Sequence, residues 1–157
     1  MEEEQADITP EDLWFILNNP WHISNTEWRL GDENSRMSMF EYINELLAES
    51  RKDGYSQIWR CENNEPISLL GCYRLAEKQY TTYLISSHLY EAHAVKLSFE
   101  IRKVLREKAS RYKGYSLGIY SNSQHPHLFT WLRFLGFKYR PDKDHYDRRY
   151  FEFKSAD

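Results

Sequence analysis

The sequence predicts an α/β fold of the α+β kind: one mixed, mainly antiparallel twisted sheet, a central βαβ unit and flanking helices. Two stretches carry that expectation. Residues 55–75 hold two alternating apolar runs joined by Glu62-Asn63-Asn64-Glu65, and asparagine tolerates the positive φ that a tight hairpin turn requires. Residues 80–120 read as strand, long helix and strand. A helix crossing between two strands makes those strands parallel or splayed neighbours.

Composition narrows the class before any motif does. A chain of 157 residues suits one domain with its own core. The organisation expected is a flexible acidic lead-in over 1–9, a single domain over 10–153 and a tail over 154–157. The net charge of −3 supplies no global attraction to nucleic acid or to an anionic membrane. No apolar run reaches the ~18 residues a spanning helix needs, and the opening Met1-Glu2-Glu3-Glu4-Gln5 does not read as a signal peptide. Cys61 and Cys72 form neither a disulfide framework nor a metal-ligand spacing and read as reduced thiols. No metal is expected.

Taken in order, Thr9-Pro10-Glu11-Asp12 opens a helix: threonine caps, proline fits the first turn, and the acids favour the positive helix end. Leu13, Ile16 and Leu17 form its apolar stripe, and Asn18-Asn19-Pro20 stops it. Residues 21–30, with Trp21, Ile23 and Trp28, read as a short strand or packed loop, followed by a turn over Gly31–Ser35. A second helix is expected from Ser38, a capping box with Glu41, to Arg51, burying Phe40, Ile43, Leu46 and Leu47. Gly71 sits inside the second hairpin strand and signals a bulge or a close backbone approach. A third strand is expected over 80–89.

The long helix is expected from Glu91 or His93 to Tyr112, because Ala94, Leu97, Ile101, Val104 and Leu105 follow a 3.6-residue period. Its outer face is basic, with Lys96, Arg102, Lys103, Arg106, Lys108, Arg111 and Lys113; such a face reads as a solvated surface. Gly114 ends it. A strand over 115–120 follows, then a helix from Pro126 through Leu128, Trp131, Leu132 and Leu135, capped by Gly136. A polar connection over 138–145 leads to a final strand over 146–153.

The run Trp131-Leu132-Arg133-Phe134-Leu135-Gly136-Phe137, placed after Asn122 and this element order, resembles the strand-to-helix segment of the GNAT superfamily of N-acetyltransferases, which commonly ends Leu-Gly-Phe. The pattern of Asn122, then His125 or His127, then Trp131 to Phe137 is more particularly similar to the divergent GNAT-like proteins of tailed bacteriophages. That set includes the small internal virion protein of T7-like phages. The resemblance implies acetyl-CoA as cofactor, an amine as acceptor, and partners among other phage virion proteins or host proteins. It also implies a location in the host cytoplasm or packaged inside a virion.

The resemblance places the cofactor on backbone N–H groups at the start of the long helix. The corresponding positions here are Ile85, Ser86, Ser87, Leu89, Tyr90, Ala92 and His93, together with Asn122. The family loop is glycine-rich so that backbone can approach a pyrophosphate closely. No glycine occurs here between Gly71 and Gly114, and Glu91 brings a negative charge. Leu132 stands where the family often carries a tyrosine acid, and leucine has no proton to give. Candidates for proton transfer are His125, His88 and Glu77. Two functions follow: a GNAT-fold protein with a degenerate acetyl-CoA site that acts by binding, in assembly or on a host protein, or a divergent acetyl-CoA-dependent N-acetyltransferase.

Overall fold

The computed structural model of the protein describes residues 8–153 apart from 124 and 147. Most of the acidic lead-in and all of the 154–157 tail lie outside the described residues. Five α-helices are described: α1 (Pro10–Asn18), α2 (His22–Trp28), α3 (Glu33–Lys52), α4 (Tyr90–Ala109) and α5 (Leu128–Leu135). The strands are β1 (Gly54–Arg60), β2 (Pro66–Ala76), β3 (Gln79–Ser86), β4 (Ser116–Ser121), β5 (Phe137–Tyr139) and β6 (Arg149–Phe153). They form one sheet in the order β1-β2-β3-β4-β6-β5. Among the described strands only β3 and β4 pair in parallel; every other neighbour pair is antiparallel. The predicted mixed sheet with a central βαβ unit is therefore present.

Each face of the sheet carries its own core. α1 and α3 cover one face with Leu13, Ile16, Leu17, Ile43, Leu46 and Leu47, which meet Leu69, Tyr83 and Ile85 of the sheet. α4 and α5 cover the other with Leu97, Ile101, Leu105, Leu128, Leu132 and Leu135, against Leu70, Cys72, Ile119 and Phe151. β2 is buried on both faces from Pro66 to Cys72, which is what a central strand between two helical layers requires. Phe129, Trp131 and Phe134 pack partly buried against the α4 core, and Phe137 lies within it.

The start of α1 forms as its sequence predicts. The Thr9 hydroxyl accepts from the Asp12 amide at 3.2 Å, and the Asp12 carboxylate accepts from the Thr9 amide at 2.9 Å. Asp12 also takes both guanidinium nitrogens of Arg60 at 2.6 and 2.8 Å, tying α1 to β1. Burial pushes the Asp12 carboxyl up, but Arg60 and Thr9 more than reverse this and hold it below the usual carboxylate range. Gly136 caps α5 at φ 116°, in the left-handed region. At Gly71 the close approach is real: a Cβ there would lie 2.0 Å from Cζ of Tyr83, whose hydroxyl is bonded to Ser50 Oγ at 2.8 Å.

Four local expectations are corrected. Residues 22–28 form helix α2, not a strand or loop. α3 starts at Glu33 with Asp32 as its cap, the Asp32 carboxylate accepting from the Ser35 amide at 2.8 Å, so Ser38 lies inside the helix. β3 ends at Ser86, and residues 87–89 turn the chain into α4. The 138–145 connection contains β5, which exists because Phe137–Tyr139 pairs with β6. No described helix is long and apolar enough to cross a membrane.

Candidate functional site

The site is organised by the divergence of β3 and β4. The two strands pair only from Gln79–Thr82 against Ser116–Ile119. Beyond that they separate, and separation strands the edge amides and carbonyls of both, which must find other partners if buried. α2 supplies them. The Trp21 amide donates to the Ser86 carbonyl at 3.0 Å, Ser24 Oγ accepts from the Ser86 amide at 2.9 Å, and Trp28 Nε1 donates to the Leu84 carbonyl at 3.2 Å. Across the gap, the Glu27 carboxylate accepts from Ser121 Oγ at 2.5 Å and from the Asn122 amide at 3.0 Å. Burial raises the Glu27 pKa, and the Ser121, Asn122 and Ser123 hydrogen bonds and the Arg149 charge pull it back only in part.

In the turn that leads into α4 the backbone amides of residues 87–90 are also engaged. The amides of Ser87, His88, Leu89 and Tyr90 donate to Ile67 O (2.8 Å), Asn19 O (2.7 Å), Ser87 Oγ (3.3 Å) and Ser87 O (3.0 Å) respectively. Glu91, in the first turn, accepts from Trp21 Nε1 at 2.7 Å and lies 3.2 Å from His22 Nδ1. Tyr90 is fully buried, its hydroxyl bonded to Ser98 Oγ and to Trp131 Nε1.

The predicted site residues separate into groups. Ser86, Ser87, Leu89, Tyr90 and Asn122 surround the splay, with the bonds given above. Ile85 points its side chain into the α1–α3 core. Ala92 is exposed and His93 half-buried on α4. His88 is exposed and lies against Phe15, ring centroids 5.9 Å apart. Glu77 sits in the β2–β3 turn, at the opposite end of β3 from Ser86. Leu132 is buried and lines the cleft described below.

His125 joins a chain of rings that sequence reasoning did not assemble. Its Nε2 lies 3.1 Å from Nε2 of His22, and its Nδ1 accepts the His127 amide at 3.1 Å. Those contacts assign the proton of neutral His125 to Nε2, donating to His22, whose Nδ1–H then faces Glu91. Slight desolvation, then the neighbouring charges of His22 and His127, lower the His125 pKa. A lowered histidine favours the neutral form, so its contribution to the fold is present above 6.5 and is lost as pH falls through the lowered value. A proton titration followed by NMR is expected to place the His125 midpoint below 6.5, and His22→Gln should move it up; a midpoint unchanged by that substitution would remove His22 as a cause. Among the described residues no group of three or more side chains could hold a metal ion.

A cleft of about 650 Å³ opens at the splay. Trp28, Tyr42, Tyr73 and Tyr120 line it, and its charged residues are Glu27, Arg29 and Arg148. Burial, then the adjacent Tyr42, push the Tyr73 phenol up to about 12. Sequence reasoning missed α2 and Arg148. The available signal was Trp21, Ser24 and Trp28, whose spacing puts all three on one helical face.

No family model matches the chain and no curated protein matches it. Its architecture, however, matches solved N-acetyltransferases. The PaiA N-acetyltransferase of Thermoplasma acidophilum, in complex with coenzyme A, superposes with a TM-score of 0.59 at 15% identity, over 94% of this chain and 95% of that one. This chain has the GNAT fold. The GNAT domain of S. lividans PAT gives a TM-score of 0.67 at 11% identity, over 92% of this chain and 84% of that one. A GNAT-superfamily phosphinothricin acetyltransferase from Sinorhizobium meliloti, in complex with AcCoA, gives 0.59 at 12% identity, over 93% and 84%. Identities this low speak for the GNAT fold alone.

Proposed function

We propose that this GNAT-fold protein acts by binding and that its acetyl-CoA site is degenerate. The observation that carries this reading is the start of α4, where the amides of residues 87–90 are all engaged within the chain and Glu91 stands in the first turn. A pyrophosphate arriving there finds the amides of residues 87–90 already used and a carboxylate opposing it. The α2 hydrogen bonds to Leu84 and Ser86 support the same reading, because they occupy the strand edge beside that helix. Leu132 supports it further by offering no acid for a departing thiolate.

Calorimetric titration with acetyl-CoA and with CoA tests the proposal, with melting temperature as a second readout. No heat and no shift are expected at millimolar ligand. A ligand at ten times its Kd would stabilise the fold by about 1.4 kcal/mol. Binding in the low micromolar range would overturn the reading and favour a divergent acetyltransferase. The similarity of Asn122, His125 and Trp131–Phe137 to GNAT-like phage proteins supports a virion protein or a host protein as partner. Mass spectrometry of purified phage particles is expected to detect the chain if it is packaged, and its absence from them removes the virion role.

A further inference from the structure

The cleft at the splay has a definite charge preference. Its charged lining consists of Glu27, Arg29 and Arg148, and the preference rests on Arg148. Glu27 is already committed: one carboxylate oxygen takes the Ser121 hydroxyl and the other the Asn122 amide. Arg148 is differently placed. Its guanidinium lies 5.4 Å from the centroid of the Tyr120 ring and makes no ion pair among the described residues. The ring offers that cation a weak partner and leaves its hydrogen-bond fork open for a carboxylate. The walls are aromatic, with Tyr42 and Tyr73 among them, and the volume is that of a small-molecule site.

We propose that this cleft binds a small carboxylate with an aromatic or apolar body, held by Arg148 over Tyr120 and packed against Tyr42, Tyr73 and Trp28. The inference rests on the binding reading and deepens it. An amine acceptor, which acetyl transfer would require, would meet the Arg148 guanidinium and a Glu27 carboxylate already bonded to Ser121 and Asn122. The anion needs no covalent step and leaves the splay as it is.

A matched pair of probes decides the question. 3-Phenylpropionate and 3-phenylpropylamine have the same body and opposite charge. Each is titrated to millimolar concentration into the full chain and followed by amide NMR shifts. The acid is expected to shift amides at Tyr73, Tyr120 and Arg148, while the amine leaves them in place. Arg148→Gln should weaken the acid about tenfold or more, and Arg148→Lys should recover part of that loss. Arg148 is exposed, so an unchanged melting temperature confirms that the variants fold. Equal or tighter binding of the amine overturns the proposal, as does the absence of shifts with either probe, or acid binding that survives Arg148→Gln. The acetyl-CoA titration is read separately, so CoA binding alone would remove the degenerate-site reading while the acid and amine still report on the cleft.

Discussion

Trp21→Ala is expected to destabilise the protein by about 3–5 kcal/mol, the range for truncating a buried aromatic. Trp21 is only 7% exposed. Its ring lies 4.3 Å from that of Tyr90 and 5.3 Å from that of Trp131, centroid to centroid, and its Nε1 donates to Glu91 at 2.7 Å. Truncation opens a cavity where α2, α4 and α5 meet and removes a donor from the Glu91 carboxylate. Its own amide still reaches Ser86 O, so the loss belongs to the side chain. Urea unfolding of both proteins gives the number, and a change below about 1 kcal/mol would mean that the ring is not an anchor of α2.

Gly71→Ala is expected to cost about 1–3 kcal/mol, as overpacking does. The new Cβ would stand 2.0–2.4 Å from three atoms of the Tyr83 ring. Tyr83 is 5% exposed and is held at its hydroxyl by Ser50, so the ring cannot swing out without breaking that bond. Burial also holds the Tyr83 phenol neutral well above its ordinary range. The same substitution paired with Tyr83→Ala should cost less than the two single changes added together, because the clash is gone. Full additivity in thermal or chemical unfolding would show that the clash is not the cause.

What the sequence made legible is what short-range physics decides. The Thr9–Asp12 capping box, the 3.6-residue stripe of α4, the Asn63-Asn64 hairpin and the Gly136 cap each depend on residues within a turn or two of one another. α2 was illegible for the opposite reason. Its N-cap Trp21 makes no side-chain cap bond, and Asn25 and Thr26 are poor helix formers; Trp21, Ser24 and Glu27 are held by partners on β3, β4 and α4. α3 began early because Glu33-Asn34-Ser35 has no apolar residue to mark a stripe, and only the Asp32 carboxylate signals the start. β5 is three residues whose pairing with β6 makes them a strand. The site follows the same division: the residues that lead from β3 into α4 are neighbours in sequence, while Glu27, His22 and Arg148 reach the splay from distant parts of the chain.

The bonds that seat α2 join residues 56 to 95 positions apart. During synthesis the α2 segment therefore leaves the ribosome long before its partners exist. At roughly 5–20 residues per second, it waits for several seconds until Ser121 and Asn122 emerge. Until Leu84, Ser86, Tyr90 and Glu91 have emerged, Trp21 and Trp28 have no place to bury their rings. α2 is thus added from behind, onto strands made after it. Truncated chains ending before β3 should consequently leave both indoles in water, open to chaperones and to proteolysis.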